Sequence, residues 1–200
     1  MCTYPVVEIF ESIQGEGSWI GKPVTFIRFA HCNLKCSWCD TDFNPKRTLS
    51  LAEIVPLINA RYDLVLTGGE PLLLDLEPLL LKVKELYPRM KIAIETNGTL
   101  STNGLRHRRL LDWVVCSPKP DTGYFIHDEC EIDELKYVVD NDFSPHMLLP
   151  KILKLELAGP IWLQPEGSNM QEMWRKAFVI AMDFSCFRVG VQLHKIMEVR

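Results

Sequence analysis

The sequence predicts an α/β domain built on parallel strands, and three observations lead there. Apolar runs of strand length alternate along the chain with segments of helical periodicity. Such alternation implies parallel pairing through right-handed crossovers. The polar, glycine- or proline-containing pieces CSWCDT, TGGEP, ETNG, CSPKP, QPEG and QLHK all fall at the carboxyl ends of strand-like runs. In parallel sheets and barrels that edge binds ligands, so one site is expected from many strand ends. At 200 residues the chain fits one domain spanning 1–200, with no linker and no repeat. A chain of this size buries roughly 70% of its unfolded surface, enough for a real core.

In chain order, PVVEIF (5–10) and VTFIRFAH (24–31) read as strands. SLAEIVPLINA (50–60) reads as a helix that opens with a capping box from Ser50 to Glu53. DLVLTGGEP is a short buried strand ending in glycines. DLEPLLLKVKELY (75–87) is helical, with Leu76, Leu79, Leu80, Val83 and Leu86 on one face. KIAIETNG (91–98) is a strand, LRHRRLL a short helix, and WVVCSPKP (113–120) a strand. The polar stretch 120–133 reads as a loop. ELKYVV (134–139) and IWLQPEG (161–167) are strands. NMQEMWRKAFVIAMDF (169–184) is a helix with Asn169 as cap and Glu172 three residues on, and FRVGVQLH (187–194) is a last strand.

A net charge of −4 and a pI near 5.8 argue against a general nucleic-acid binder. The one dense basic cluster, Arg106 to Arg109, reads as a solvated helix end. The amino terminus lacks the features of a secretory signal, and no apolar run approaches a membrane span. A cytoplasmic, reducing location is therefore expected, where free cysteines serve metals or catalysis. Of seven cysteines, Cys2, Cys116, Cys130 and Cys186 are scattered and read as core or incidental thiols.

The other three, Cys32, Cys36 and Cys39, are crowded into HCNLKCSWCDT (31–41). Thiolates select zinc, copper(I) or iron–sulfur clusters. Tetrahedral zinc needs a fourth ligand; His31 is poorly spaced for it, and Cys116 would have to arrive from another strand. A [4Fe–4S] cluster usually takes four cysteines, so three leave one iron without a protein ligand. An open coordination position is a catalytic feature.

C-x3-C-x2-C with Trp38 before its last cysteine resembles the signature of the radical S-adenosylmethionine (SAM) superfamily. TGGEP (67–71) resembles that superfamily's second motif. The resemblance implies that SAM chelates the fourth iron and that Glu70 accepts hydrogen bonds from the SAM ammonium. The opening ESIQGEGSWIGKPVTFIRFAHCNLKCSWCDT (11–41), with TGGEPLL, ETNGT, SPK, QPEG and VQLHK in order, is similar to the 7-carboxy-7-deazaguanine synthase family over nearly the whole chain. That family contracts 6-carboxy-5,6,7,8-tetrahydropterin to 7-carboxy-7-deazaguanine, losing ammonia, through a 5′-deoxyadenosyl radical. The implied fold is the radical SAM fold, a partial TIM-like β/α barrel that the short chain leaves incomplete.

The resemblance also distributes roles. Ile13, Gln14, Gly15, Glu16, Arg28, Thr67, Gln192, His194 and Arg200 would contact substrate, with Glu16 or His194 moving protons. An amide, a carboxylate and a planar guanidinium suit a pterin edge and its carboxylate. Trp38, Cys39, Asp40, Gly68, Gly69, Glu70, Ser117, Pro118, Lys119, Gln164, Pro165, Glu166 and Gly167 would line SAM, and Thr41 would bind Mg²⁺. Taken singly, each residue has a plainer reading. Gln14 and Glu16 fit a turn, Arg28 a structural ion pair, Thr41 a turn cap, and His194 a core or surface histidine. Glu166 stands where the family pattern leads one to expect Asp. An external electron donor such as a flavodoxin and a homodimer are also implied. The rival readings are a glycyl-radical activase and a non-catalytic iron–sulfur or zinc module.

Overall fold

Nine strands join in a single open sheet among the residues that the computed structural model describes, 2–37, 39, 41–119, 126–148, 157–167 and 169–199. They are β1 (Thr3–Ile13), β2 (Pro23–Phe29), β3 (Arg47–Ser50), β4 (Asp63–Gly68), β5 (Ile92–Thr96), β6 (Trp113–Cys116), β7 (Glu134–Val139), β8 (Ile161–Pro165) and β9 (Phe187–Val189). Their order is β3-β1-β2-β4-β5-β6-β7-β8-β9. From β2 to β9 every neighbouring pair is parallel, as expected of the alternating pattern. The sheet does not close, which suits a partial barrel. Trp38, Asp40, Arg200 and the 120–125 part of the expected loop lie outside the described residues.

The parallel expectation fails at one edge. β1 is antiparallel to both β2 and β3, and β3 was not anticipated at all. The chain turns from β1 into β2 within residues 14–22, too few for the helical crossover that a parallel pair requires. β3 is RTLS, whose single buried residue is Leu49; it carries no alternation long enough to read. At the other edge the expected last strand stops at Val189, and QLHK turns into a short helix, α5 (Leu193–Ile196).

Side-chain alternation splits each strand between two faces. On β2, Ile27 and Phe29 pack outward into the main core, while Val24, Phe26 and Arg28 point inward. On β4, Leu64 and Leu66 go outward and Val65 and Thr67 inward; on β5, Ile92 and Ile94 go outward and Ala93 and Glu95 inward. The inward face therefore begins on an apolar floor of Val24, Phe26, Val65 and Ala93, and turns polar toward the carboxyl edge. Register keeps that transition level, since Arg28 pairs with Thr67 across β2 and β4.

Helices cover the outer face. α1 (Leu51–Ile54) starts as expected, with the Glu53 carboxylate accepting from the Ser50 N–H at 2.8 Å and the Ser50 hydroxyl at 2.7 Å. It gives way to a 3₁₀ turn at Val55–Leu57, where Pro56 lies, and so is shorter than the expected 50–60. α2 (Glu77–Leu86) buries Leu79, Leu80 and Val83, with Leu76 at its start, in the core that backs β1 to β6. Leu86, expected on that face, is 45% exposed at the last residue of the helix. α3 (Asn103–His107) is followed by the basic cluster, which is not a free patch. Arg106 donates to Asp133 at 2.9 Å and Arg108 pairs with Glu77. α4 (Met170–Asp183) packs Met173, Ala177 and Ile180 inward, the latter two in a second core behind β6 to β9. Asn169 precedes it, but its amide donates to the Glu172 carboxylate and accepts no helix N–H, so the expected side-chain cap is not made.

Leu80→Ala is expected to destabilise the fold by about 3 kcal/mol through lost burial and a cavity. Leu86→Ala should stay within about 0.5 kcal/mol, as at exposed positions generally. Urea denaturation followed by circular dichroism measures both; equal losses would contradict the packing of α2.

Candidate functional site

The cysteine loop is held at its root by a glycine pair. Gly68 has φ +139°, and a Cβ there would lie 2.1 Å from the Phe29 carbonyl oxygen, so only glycine fits. Gly69 lies against the chain just before Cys32: a Cβ would fall 1.9 Å from the His31 carbonyl oxygen. This closeness lets the Gly69 N–H donate to Phe29 O at 3.2 Å and the Glu70 N–H to His31 O at 2.8 Å. His31 takes the left-handed conformation at φ +69°, turning the chain out of β2 into the loop.

Glu70 completes the root. Its carboxylate is fully buried and accepts from the Leu72 N–H at 3.0 Å, the Thr96 hydroxyl at 2.9 Å and the Asn97 N–H at 2.7 Å. Burial pushes its pKa up, although these hydrogen bonds pull it down. Asn97, thus fixed, donates its side-chain amide to Asn33 at 2.9 Å and lies 3.9 Å from the Cys32 sulfur.

A cavity of about 1000 Å³ opens at the carboxyl edge of the sheet. Cys32, Cys36 and Cys39 line one end, none of them in a disulfide, with Thr41 beside them. Gly68, Gly69, Ser117, Lys119, Gln164, Pro165, Glu166 and Gly167 line the wall between them and the substrate end. Lys119 donates to the Ser117 carbonyl and hydroxyl oxygens, both at 2.6 Å. Burial drops its pKa to about 8, with Lys136 pushing the same way and the Cys36 and Cys39 thiols opposing. Gln164 lines the cavity, and its side-chain oxygen is buried without a hydrogen-bond partner. Among the described residues no three His, Cys, Asp or Glu side chains converge on a point that would hold a single ion. Thiolates that each take a different iron of a cluster need not meet at a point. Three unbridged thiols at one end of the cavity, with the buried Lys119 ammonium on the adjoining wall, suit a cluster with a ligand carrying a carboxylate beside it.

The other end is made by β1, β4, β5, β7 and the α5 segment. Glu16 accepts from Lys136 through one oxygen and from the Gln192 amide at 2.7 Å through the other. Burial alone would raise the Glu16 carboxyl; the Lys136 ammonium and the two hydrogen bonds overcome it and hold it below the usual range. His194 lies against Gly15, where a Cβ would be 1.9 Å from its Nδ1. Burial depresses its pKa, favouring the neutral ring, against the pull of Glu16. Gln14 is buried, donating to Glu95 at 3.0 Å and accepting from the Glu16 N–H at 3.1 Å. Its side chain thus serves the pocket wall, leaving Glu16 and the backbone to face a ligand. Arg28 donates its Nε to Glu8 across the β1–β2 pair at 2.9 Å while also lining the cavity, so the ion-pair and ligand readings of Arg28 coexist.

The structure therefore brings together twenty of the residues singled out from sequence, from Ile13 to His194, along one wall. Two described ones stand apart. Pro118 does not line the cavity, and the Glu70 carboxylate is committed to the loop root. Cys116, considered as a fourth ligand, is fully buried in the second core beside Cys130. Sequence reasoning missed Glu95, Asn97 and Lys136. For Glu95 and Lys136 the signal was present: a charge inside each of two apolar strands, IAIET and ELKYVV, has to be paired or functional; Asn97, an uncharged loop residue, gave none.

Comparison with known proteins adds independent weight. The profile of the radical SAM superfamily matches residues 26–114. The 7-carboxy-7-deazaguanine synthase of Aquifex aeolicus is 35% identical, covering 96% of this chain and 93% of its own length. That of Synechocystis is 32% identical over 99% of this chain and 94% of its own. The crystal structure of QueE from Escherichia coli superposes with a TM-score of 0.77 at 26% identity, covering 96% of this chain and 95% of that one.

Gly69→Ala is expected to displace the His31–Cys32 backbone and reduce the iron bound on anaerobic reconstitution to less than about half. Gly104→Ala, where a Cβ meets nothing within 4 Å, should leave it unchanged. Iron and sulfide quantitation of the two variants distinguishes close approach at the loop root from a general intolerance of added methyl groups.

Proposed function

The chain belongs to the 7-carboxy-7-deazaguanine synthase family of the radical SAM superfamily, and on that premise we propose that it converts 6-carboxy-5,6,7,8-tetrahydropterin to 7-carboxy-7-deazaguanine with loss of ammonia. The observation that carries this reading is the two-ended cavity, with three cysteines outside any disulfide at one end and carboxylate acceptors at the other. Family membership removes the alternatives of an activase and a non-catalytic metal module.

Cys32, Cys36 and Cys39 would hold the cluster, and Gly68, Gly69, Ser117, Lys119 and Gln164 to Gly167 would bind SAM beside it. Bound there, the two supply one-electron reductive chemistry that starts a hydrogen abstraction. The protein's own part is placement. Arg28 offers a planar cation for the substrate carboxylate, and Glu16 an acceptor for ring N–H groups. Neutral His194, packed on Gly15, is placed to accept a proton at its unprotonated nitrogen. The apolar floor of Phe26 and Val65 keeps water from the reacting face. Thr41 is a hard oxygen donor beside the thiols, suited to Mg²⁺ that also holds the substrate carboxylate. An external reductant such as a flavodoxin, a homodimer, and delivery of product to queuosine or another deazapurine complete the proposal. Among the described residues no helix is long and apolar enough to cross a membrane.

Anaerobic reconstitution with SAM, dithionite and 6-carboxytetrahydropterin should yield a product with the mass and absorbance of the deazaguanine. Absence of both product and 5′-deoxyadenosine sinks the proposal. Cys36→Ala should fail to hold a full [4Fe–4S] cluster by Mössbauer spectroscopy. Thr41→Ala should raise the Mg²⁺ needed for half-maximal turnover about tenfold while leaving cluster content intact.

A further inference from the structure

One buried ammonium at the substrate end faces two carboxylates. Lys136, on the inward face of β7, has a side chain only 11% exposed. Its Nζ bonds one oxygen of Glu16 and stands 3.9 Å from Glu95 Oε1. Glu95 is itself fixed by the Gln14 amide at 3.0 Å and the Thr67 hydroxyl at 2.9 Å. The remaining charged and titratable groups facing this trio are otherwise placed. Glu134, two residues back on the same face of β7, spends its carboxylate on the Ser18 N–H and hydroxyl and on the Trp162 indole N–H. His194 and Lys195 approach from α5, and Lys119 from the end of β6.

Each carboxylate still has acceptor capacity, having about four lone-pair sites. Glu16 uses one oxygen for Lys136 and the other for Gln192. The Gln192 carbonyl oxygen, beside them, is buried without a partner. The Glu16 and Glu95 carboxylates thus present a pair of acceptors at this end of the cavity. Such a pair rejects ligands that cannot present N–H groups, because its buried acceptors would be left unpaired. The Lys136 ammonium holds the Glu16 carboxyl below its usual range; without that cation burial raises it, and a protonated carboxyl donates.

We propose that Lys136 is a positioning residue for substrate: paired with both Glu16 and Glu95, it holds them as a fixed acceptor pair that, with the Gln192 side-chain oxygen, selects a ring edge rich in N–H donors. This deepens the pterin reading of the cavity and rests on it. The clamp on the 14–19 loop makes the geometry durable, because β7 grips that loop twice, through Lys136 on Glu16 and Glu134 on Ser18.

The test is calorimetric binding of 6-carboxytetrahydropterin to the reconstituted protein at pH 6, 7 and 8, with iron content as fold control. The ratio of variant to wild-type Kd at each pH cancels titration of the ligand. Lys136→Met is expected to weaken binding at least about tenfold at pH 8. The ratio should grow several-fold further at pH 6, as the unpaired Glu16 carboxyl takes up protons. Lys136→Arg, keeping the charge, should hold the ratio constant with pH. A ratio near one, or a loss independent of pH, overturns the proposal. If Lys136→Met fails to bind iron, the charge-neutral pair Lys136→Met/Glu16→Gln takes its place. It should fold and bind at least about tenfold more weakly than wild type, and wild-type affinity in it would be fatal. Turnover by the wild type separates the outcomes: if it turns over pterin and the variants bind normally, this inference alone fails.

Discussion

The buried Glu70 carboxylate is the interaction on which the site depends. Burying a carboxylate without partners is expensive, and its removal from water leaves any unpaired lone pair uncompensated. Glu70 meets that cost with three donors drawn from three places: the turn after β4, the end of β5 and the loop that follows it. Because those donors come from different strands, the carboxylate fixes the spacing of the strand ends as well as its own loop. Asn97, placed by this bond, reaches Asn33 and the first thiol. The Gly68–Gly69 pair is the condition for all of it, since a side chain at either position collides with backbone at 29–31. The glutamate read from sequence as a ligand acceptor is also the joint between sheet and cysteine loop.

Strand alternation then does for the cavity what Glu70 does for the loop. Each parallel strand must send every second side chain inward. Apolar residues at the start of β2, β4 and β5 fill that inner space, and polar ones at the end leave it open. The chemistry is thereby sorted along a single axis without any dedicated domain. Soft thiols, hydrogen-bonding wall and buried charges lie side by side on loops that differ widely in sequence position.

Much of this was legible. The strand periodicity from β4 to β8, the carboxyl-edge clustering of polar pieces and the three cysteines follow from local pattern, and the structure agrees with each. What was not legible depends on pairing. Nothing in PVVEIF says that its partners run antiparallel, and RTLS becomes a strand only because β1 offers it an edge. FRVGVQLH alternates like a strand, yet β8 provides pairing only to Val189. Lys136 was read as one polar position of a strand. Its importance appears only when Glu16 and Glu95, 120 and 41 residues away in the chain, are seen beside it.

The sheet is open, but its mouth is not. β3 and β9 remain as edges far apart in the strand order, so no backbone pairing closes the barrel. The closure is made instead by the first and last segments of the chain. The Leu193 N–H donates to Gly15 O at 2.9 Å, and Gln192 bonds Glu16 across a separation of 176 residues. These contacts are few and lie at loop ends, the places where local opening costs least. They also carry high sequence separation, which makes them late to form. The 192–194 segment should therefore be both the last part to assemble and the first to open, while the 14–19 loop clamped by β7 and the Glu70-anchored thiol loop stay in place. That ordering suits an enzyme that must keep its metal site through every cycle and release its product from the other end.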